Sequence, residues 1–127
     1  MSYYFNKTLT CSFEEAIQRV TEELQKEGFG ILTEIDVKAT LKKKLDVDFR
    51  PYNILGACNP NFAYQALQAE DKIGTMLPCS VIVQDLGTQV EVAAIDPIAS
   101  MSAVDNPALA GIAEQVQAKL KKAIESL

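Results

Sequence analysis

Cysteine is the residue type best placed to do chemistry in this chain, because two of its three cysteines stand in short runs punctuated by proline. These runs are Ile54-Leu55-Gly56-Ala57-Cys58-Asn59-Pro60 and Met76-Leu77-Pro78-Cys79. Pro60 suits the first position of a helix and Asn59 is a favoured N-cap, so Cys58 is expected at a strand end facing a helix N-terminus. The partial positive charge there favours a thiolate, the form of cysteine that attacks or ligates. The Pro78-Cys79 junction ahead of another strand could bring a second thiol nearby, as thiol–disulfide exchange requires. A plainer reading stands beside this one. Free cysteine packs well as a small apolar residue, and Asn59, Pro60 and Pro78 are the residue types of caps and turns. Cys11 lies outside both runs, just before a helix cap.

Other chemistries are narrowed by what the chain lacks. It contains no histidine, which removes Ser-His-Asp triads, Cys-His pairs and histidine-bearing zinc sites. Neither Cys58 nor Cys79 belongs to a CxxC pair, so no metal site and no cofactor is expected. Asp36 could act as a general base if it faced the thiols, but its place before Val37-Lys38-Ala39 suits a helix N-cap. Arg50 could bind an anion or form a surface ion pair with Asp46 or Asp48. The adjacent acids Glu14-Glu15, Glu22-Glu23 and Glu70-Asp71 diverge on helices and cannot share a proton.

Charge and length set further bounds. Twelve basic against seventeen acidic residues leave a net charge of −5, which repels phosphate backbones and argues against nucleic acid as a partner. Lys38, Lys42, Lys43 and Lys44 cluster, yet Asp36, Asp46 and Asp48 flank them, and a solvated helix face explains the group. No run approaches the roughly 18 apolar residues of a membrane span, so no membrane partner is expected. The start of the chain shows no basic segment followed by an apolar core, from which a cytoplasmic location and reduced thiols follow as expectations. The 127 residues suffice for one domain, 1–127, with its own core.

These candidate groups need elements to hold them. A strand over Tyr3 to Leu9 puts Tyr3, Phe5 and Leu9 on one face and Tyr4, Asn6 and Thr8 on the other. Ser12 with Glu15 forms a capping-box signature for a helix carrying Phe13, Ala16, Ile17, Val20 and Leu24, which Gly28 stops. A second strand runs through Phe29, Ile31 and Ile35. A short helix, Val37 to Leu45, follows it with Val37, Leu41 and Leu45 as a stripe, and Pro51 opens a strand from Tyr52 to Cys58. A helix from Pro60 to about Glu70 comes next. Ser80 to Leu86 and Gln89 to Ile95 make a hairpin through Gly87-Thr88, and Ile98 to Ser102 a helical turn. Asn106-Pro107 starts the last helix, with Leu109, Ile112, Val116, Leu120, Ile124 and Leu127 as its buried stripe.

The ordered combination of Gly56-Ala57-Cys58-Asn59-Pro60, Met76-Leu77-Pro78-Cys79 and Asp96-Pro97 resembles the bacterial family known as domain of unknown function 302. Gly28-Phe29-Gly30-Ile31-Leu32-Thr33-Glu34-Ile35-Asp36 and Arg50-Pro51-Tyr52 look like its early segments. The resemblance implies an α+β fold of β-α-β(4)-α type, similar to TATA-binding-protein-like folds, with helices on one face of a largely antiparallel sheet. It also implies a homodimer, and it brings no activity or catalytic residues with it. Two functions therefore stand. The first is a dimeric small-ligand-binding or interaction module with a pocket near Cys58, drawing on Cys58, Asn59, Pro60, Pro78, Cys79 and Asp36. The second is a thiol-based redox or sulfur-transfer enzyme in which Cys58 attacks and Cys79 resolves.

Overall fold

In chain order, the computed structural model of residues 2–127 contains β1 (Tyr4–Leu9), α1 (Phe13–Lys26), β2 (Gly30–Asp36), α2 (Val37–Leu45), β3 (Tyr52–Cys58) and α3 (Pro60–Ala69). A 3-10 helix (Asp71–Met76), β4 (Cys79–Asp85), β5 (Val90–Ile95), α4 (Pro97–Ser100) and α5 (Pro107–Glu125) complete it. The strands form one five-stranded sheet of order β1-β5-β4-β3-β2 with every neighbouring pair antiparallel. This is the expected α+β architecture, with α2, α3 and the 3-10 helix inserted between strands and α4 between β5 and α5.

The connection from β1 to β2 runs from one edge of the sheet to the other, so α1 must cross the whole sheet. Five strands about 4.8 Å apart span about 19 Å, and fourteen helical residues at about 1.5 Å each reach about 21 Å. The length of α1 therefore matches the distance to be crossed. Its start and stop are local: Ser12 Oγ accepts from the Glu15 amide at 3.1 Å, and Gly28 follows with φ +87°, a conformation costly for any other residue. Ala16, Val20 and Leu24 are fully buried beneath α1, and Val116, Leu120 and Ile124 of α5 extend the same apolar layer.

Strand alternation supplies the other half of the core. Leu55 and Ala57, Cys79, Val81 and Val83, and Val90, Val92 and Ala94 all point to the helix side. Burying this set is the main favourable term for the fold, at roughly 25 cal/mol per Å² of apolar surface removed from water.

Three local expectations are corrected. The Val37-Leu41-Leu45 stripe of α2 is not a core face: the helix has no buried residue and Leu45 is 65% exposed. Tyr3 precedes β1 rather than joining the Phe5 and Leu9 face. The segment after α3, for which the sequence pattern predicts no element, holds the 3-10 helix, whose Ile73 is buried against Ala66 and Leu109 in a second small core.

Candidate functional site

The Cys58 junction has the position its neighbours predict. Cys58 is the last residue of β3 and α3 begins at Pro60. In the ladder Cys79 sits opposite Ala57, whereas Cys58 sits opposite Gly30 on β2. All three cysteines are free thiols. Cys58, Asn59, Pro78 and Cys79 line a hollow with Phe29 and Phe62, but its volume is only about 30 Å³, room for a water or two. Burial, and secondarily the neighbouring Cys58, push the Cys79 thiol up to about 11.

Of the two expected helix caps, one behaves differently from its motif. Asn59 occupies the N-cap position of α3, yet its side chain makes no cap hydrogen bond; Nδ2 instead donates to the Glu27 carbonyl at 3.2 Å. Asn59 thus ties the end of α1 to the start of α3. Asp36 does cap α2, accepting from the Ala39 amide at 2.9 Å. Asp36 lies at the far end of β2 from Gly30, paired with Asn53, so about 20 Å of strand separates it from the Cys58 junction. Asp36 and the thiols do not share a site.

Sequence reasoning missed the opposite face of the sheet. Neither α1 nor α5 covers it, and the registers arrange its side chains in cross-strand rows. Ile35, Ile54, Ile82 and Ala93 form one apolar row across β2, β3, β4 and β5. Tyr52, Gln84, Glu91 and Thr8 form a second, mostly polar row. Small residues at Ala93 and Ser80 lower the middle of the face, and aromatic rings rise at its margins. The result is a cup of about 360 Å³ with Ile82, Ala93 and Ile95 in its floor and Tyr3, Tyr4 and Tyr52 in its walls.

Hydrogen bonds fix one side of that cup. Arg50 Nε donates to Gln84 Oε1 at 2.8 Å, Gln84 Nε2 donates to Glu91 Oε1 at 2.7 Å, and Asn6 Nδ2 donates to Glu91 Oε2 at 2.9 Å. The chain of bonds joins the lead-in to β3 with β4, β5 and β1. Arg50 also lies 4.4 Å from the Phe49 ring centroid, so it is engaged with Gln84 and an aromatic face instead of the expected partners Asp46 and Asp48. Those two carboxylates pair with Lys42 at 3.0 and 3.5 Å. Tyr3 and Tyr4 pack edge to face, 5.1 Å between centroids. In sequence, the only trace of this site is the tyrosine pair beside a strand.

Among the described residues no group of three or more metal-ligating side chains converges, and no helix is long and apolar enough to cross a membrane.

The family described as "Domain of unknown function DUF302" matches residues 5–127. Among solved structures, the chain is similar to the uncharacterized conserved protein DUF302 from Bacillus stearothermophilus, with a TM-score of 0.91, 28% sequence identity and 98% of each chain covered. No curated protein matches.

Proposed function

The chain belongs to the DUF302 family, and on that footing we propose that it is a binding module that takes a small molecule into the cup on the uncovered sheet face and does not turn it over. The observation that carries this reading is the contrast between two hollows. The cup offers about 360 Å³, the lower end of ordinary ligand pockets, whereas the hollow at Cys58 and Cys79 offers about 30 Å³. The cup also combines an apolar floor with a few fixed polar groups, the usual composition of a binding site. Against the thiol-enzyme alternative stands Cys79, whose buried thiol is pushed up to about 11 and is a poor source of thiolate at neutral pH.

Protein-detected NMR with a library of fragment-sized molecules tests the location. Binding should shift the amides of Ile82, Gln84, Glu91 and Ala93. Shifts confined to residues around Cys58 and Cys79 would return the site to the thiol hollow, and a library that moves neither set would end the binding reading.

The homodimer implied by the family resemblance belongs to the same proposal, with contact through the β2–β3 half of the open face. Ile35, 48% exposed, lies opposite Ile54 there, clear of the cup lining. Light scattering should give twice the chain mass, and Ile35→Lys should halve it. A monomer mass for the unsubstituted chain at every concentration would remove this part of the reading.

A further inference from the structure

Glu91 is a half-buried carboxylate in the wall of an aromatic cup, and its surroundings make it unusual. Both oxygens are engaged, Oε1 by Gln84 and Oε2 by Asn6, but both donors are neutral amides. Among the described residues every ion pair is elsewhere: on α1, on α2 and its following loop, at Asp71–Lys72, and between Lys122 and Glu27. The nearest cation in the bonding chain, Arg50, bonds to Gln84 and not to Glu91; its guanidinium lies 4.4 Å from the Phe49 ring centroid and 5.8 Å from that of Tyr52, which leaves only the other face of Tyr52 open to the cup. The amides therefore orient the carboxylate without neutralising it.

Three tyrosine rings line the same cup. An aromatic face attracts a cation through the ring quadrupole, by about 0.5–1 kcal/mol where exposed and about 2 kcal/mol where desolvated. A carboxylate held by neutral donors adds a directed charge to that attraction, and the apolar floor of Ile82, Ala93 and Ile95 accepts a hydrocarbon body. The chain's net charge of −5 further favours approach of cations over anions.

From this juxtaposition we infer that the cup is selective for an organic cation, an amine or quaternary ammonium carrying an apolar body, with Glu91 facing the cationic head, Tyr52 in the same cross-strand row, and Tyr3 and Tyr4 at the Ile95 end of the cup beside the body. The inference rests on the proposed binding function and specifies its ligand class. Glu91 is a specificity-determining residue in this scheme, and no bond is made or broken.

The chain has no tryptophan and four tyrosines, of which three line the cup, so intrinsic tyrosine fluorescence reports occupancy. Hexyltrimethylammonium, hexanol and hexanoate carry the same hydrocarbon body with cationic, neutral and anionic heads, and none absorbs with tyrosine. Titrated into the full chain at constant ionic strength, with calorimetry in parallel, hexyltrimethylammonium should bind about tenfold more tightly than the other two. Glu91→Gln should bring it close to hexanol. Tyr52→Leu, which keeps the charge, should weaken the cation more than hexanol. Equal or tighter binding of hexanol or hexanoate would overturn the cation inference and leave the binding function standing. An unchanged cation affinity in folded Glu91→Gln would overturn it too. Failure of all three probes to bind would overturn it together with the assignment of the cup as the ligand site.

Discussion

Gly56 faces Pro78 across the β3–β4 junction so closely that a Cβ on the glycine would come within 2.7 Å of the proline Cγ. Thr33 Oγ1 closes the same space from β2, where Thr33 and Gly56 pair in the ladder. The proline ring cannot yield easily, and Thr33 Oγ1 has to rotate away. Gly56→Ala should therefore destabilise the fold by about 1–3 kcal/mol, the usual cost of overpacking. Gly111 is the contrast: it lies on the exposed side of α5 with nothing within 4 Å of its added Cβ. Gly111→Ala should stabilise by about 0.5–1 kcal/mol, because alanine is the better helix residue. Urea midpoints of the two variants should move in opposite directions.

Elements whose signals are local were legible in the residues. Ser12, Glu15 and Gly28 mark the two ends of α1 without reference to anything distant, and Asn106-Pro107 marks the start of α5 in the same way. The Cys58 junction was legible for the same reason. The cup was not, because alternation tells which residues of one strand share a face but not which strands are neighbours. Asn6 and Glu91 are 85 positions apart and meet only because β1 adds at the edge beside β5. Asn59 and Arg50 teach a related lesson. Each had a plausible local partner, a free helix amide for one and Asp46 or Asp48 for the other, and each instead bonds across the fold to Glu27 or Gln84.

The α5 stripe should carry a large share of stability. Leu120 is fully buried among the residues packed between α5 and the sheet, and Leu120→Ala should cost about 2–5 kcal/mol. Leu45, also a leucine near a helix end but 65% exposed, should tolerate alanine within about 0.5 kcal/mol. A chemical denaturation series on the two variants measures the difference, and equal losses would contradict the assignment of α2 to the surface.

Cys79 makes stability depend on alkaline pH. The unfolded chain releases this proton near the ordinary value of 9.0, while the folded chain holds it until about 11. Between those values the native state binds more protons than the unfolded state, so stability falls as pH rises from 9 to 11. The full loss is on the order of 2–3 kcal/mol. Denaturation of the parent chain and Cys79→Ala across this window should show the slope reduced in the variant. Alkylation followed by mass spectrometry at pH 8 should label Cys79 more slowly than the half-buried Cys11 and Cys58.

The Asn59 bond permits a test that separates a tertiary tie from a helix cap. As a cap, Asn59 would act through its side-chain oxygen, and Asp would serve as well or better because its charge complements the helix N-terminus. As a tie to Glu27, it acts through Nδ2, a donor that aspartate lacks, and an aspartate oxygen would meet the carbonyl oxygen instead. Gly28 makes room for this side chain, since a Cβ there would lie 3.0 Å from Asn59 Nδ2. Asn59→Asp should thus be more destabilising than Asn59→Ala, which loses one hydrogen bond worth about 1 kcal/mol. At Asn106, where Oδ1 does accept from the Ala108 amide at 3.0 Å, Nδ2 also donates to the Ala69 carbonyl at 2.8 Å and to Glu70 Oε1 at 3.2 Å. Asp retains the cap bond, loses both others and places a carboxylate beside that of Glu70, so Asn106→Asp should be destabilising as well. Thermal melts at pH 7 read the order directly, and an Asn59→Asp variant as stable as the parent would show that the cap role prevails at Asn59.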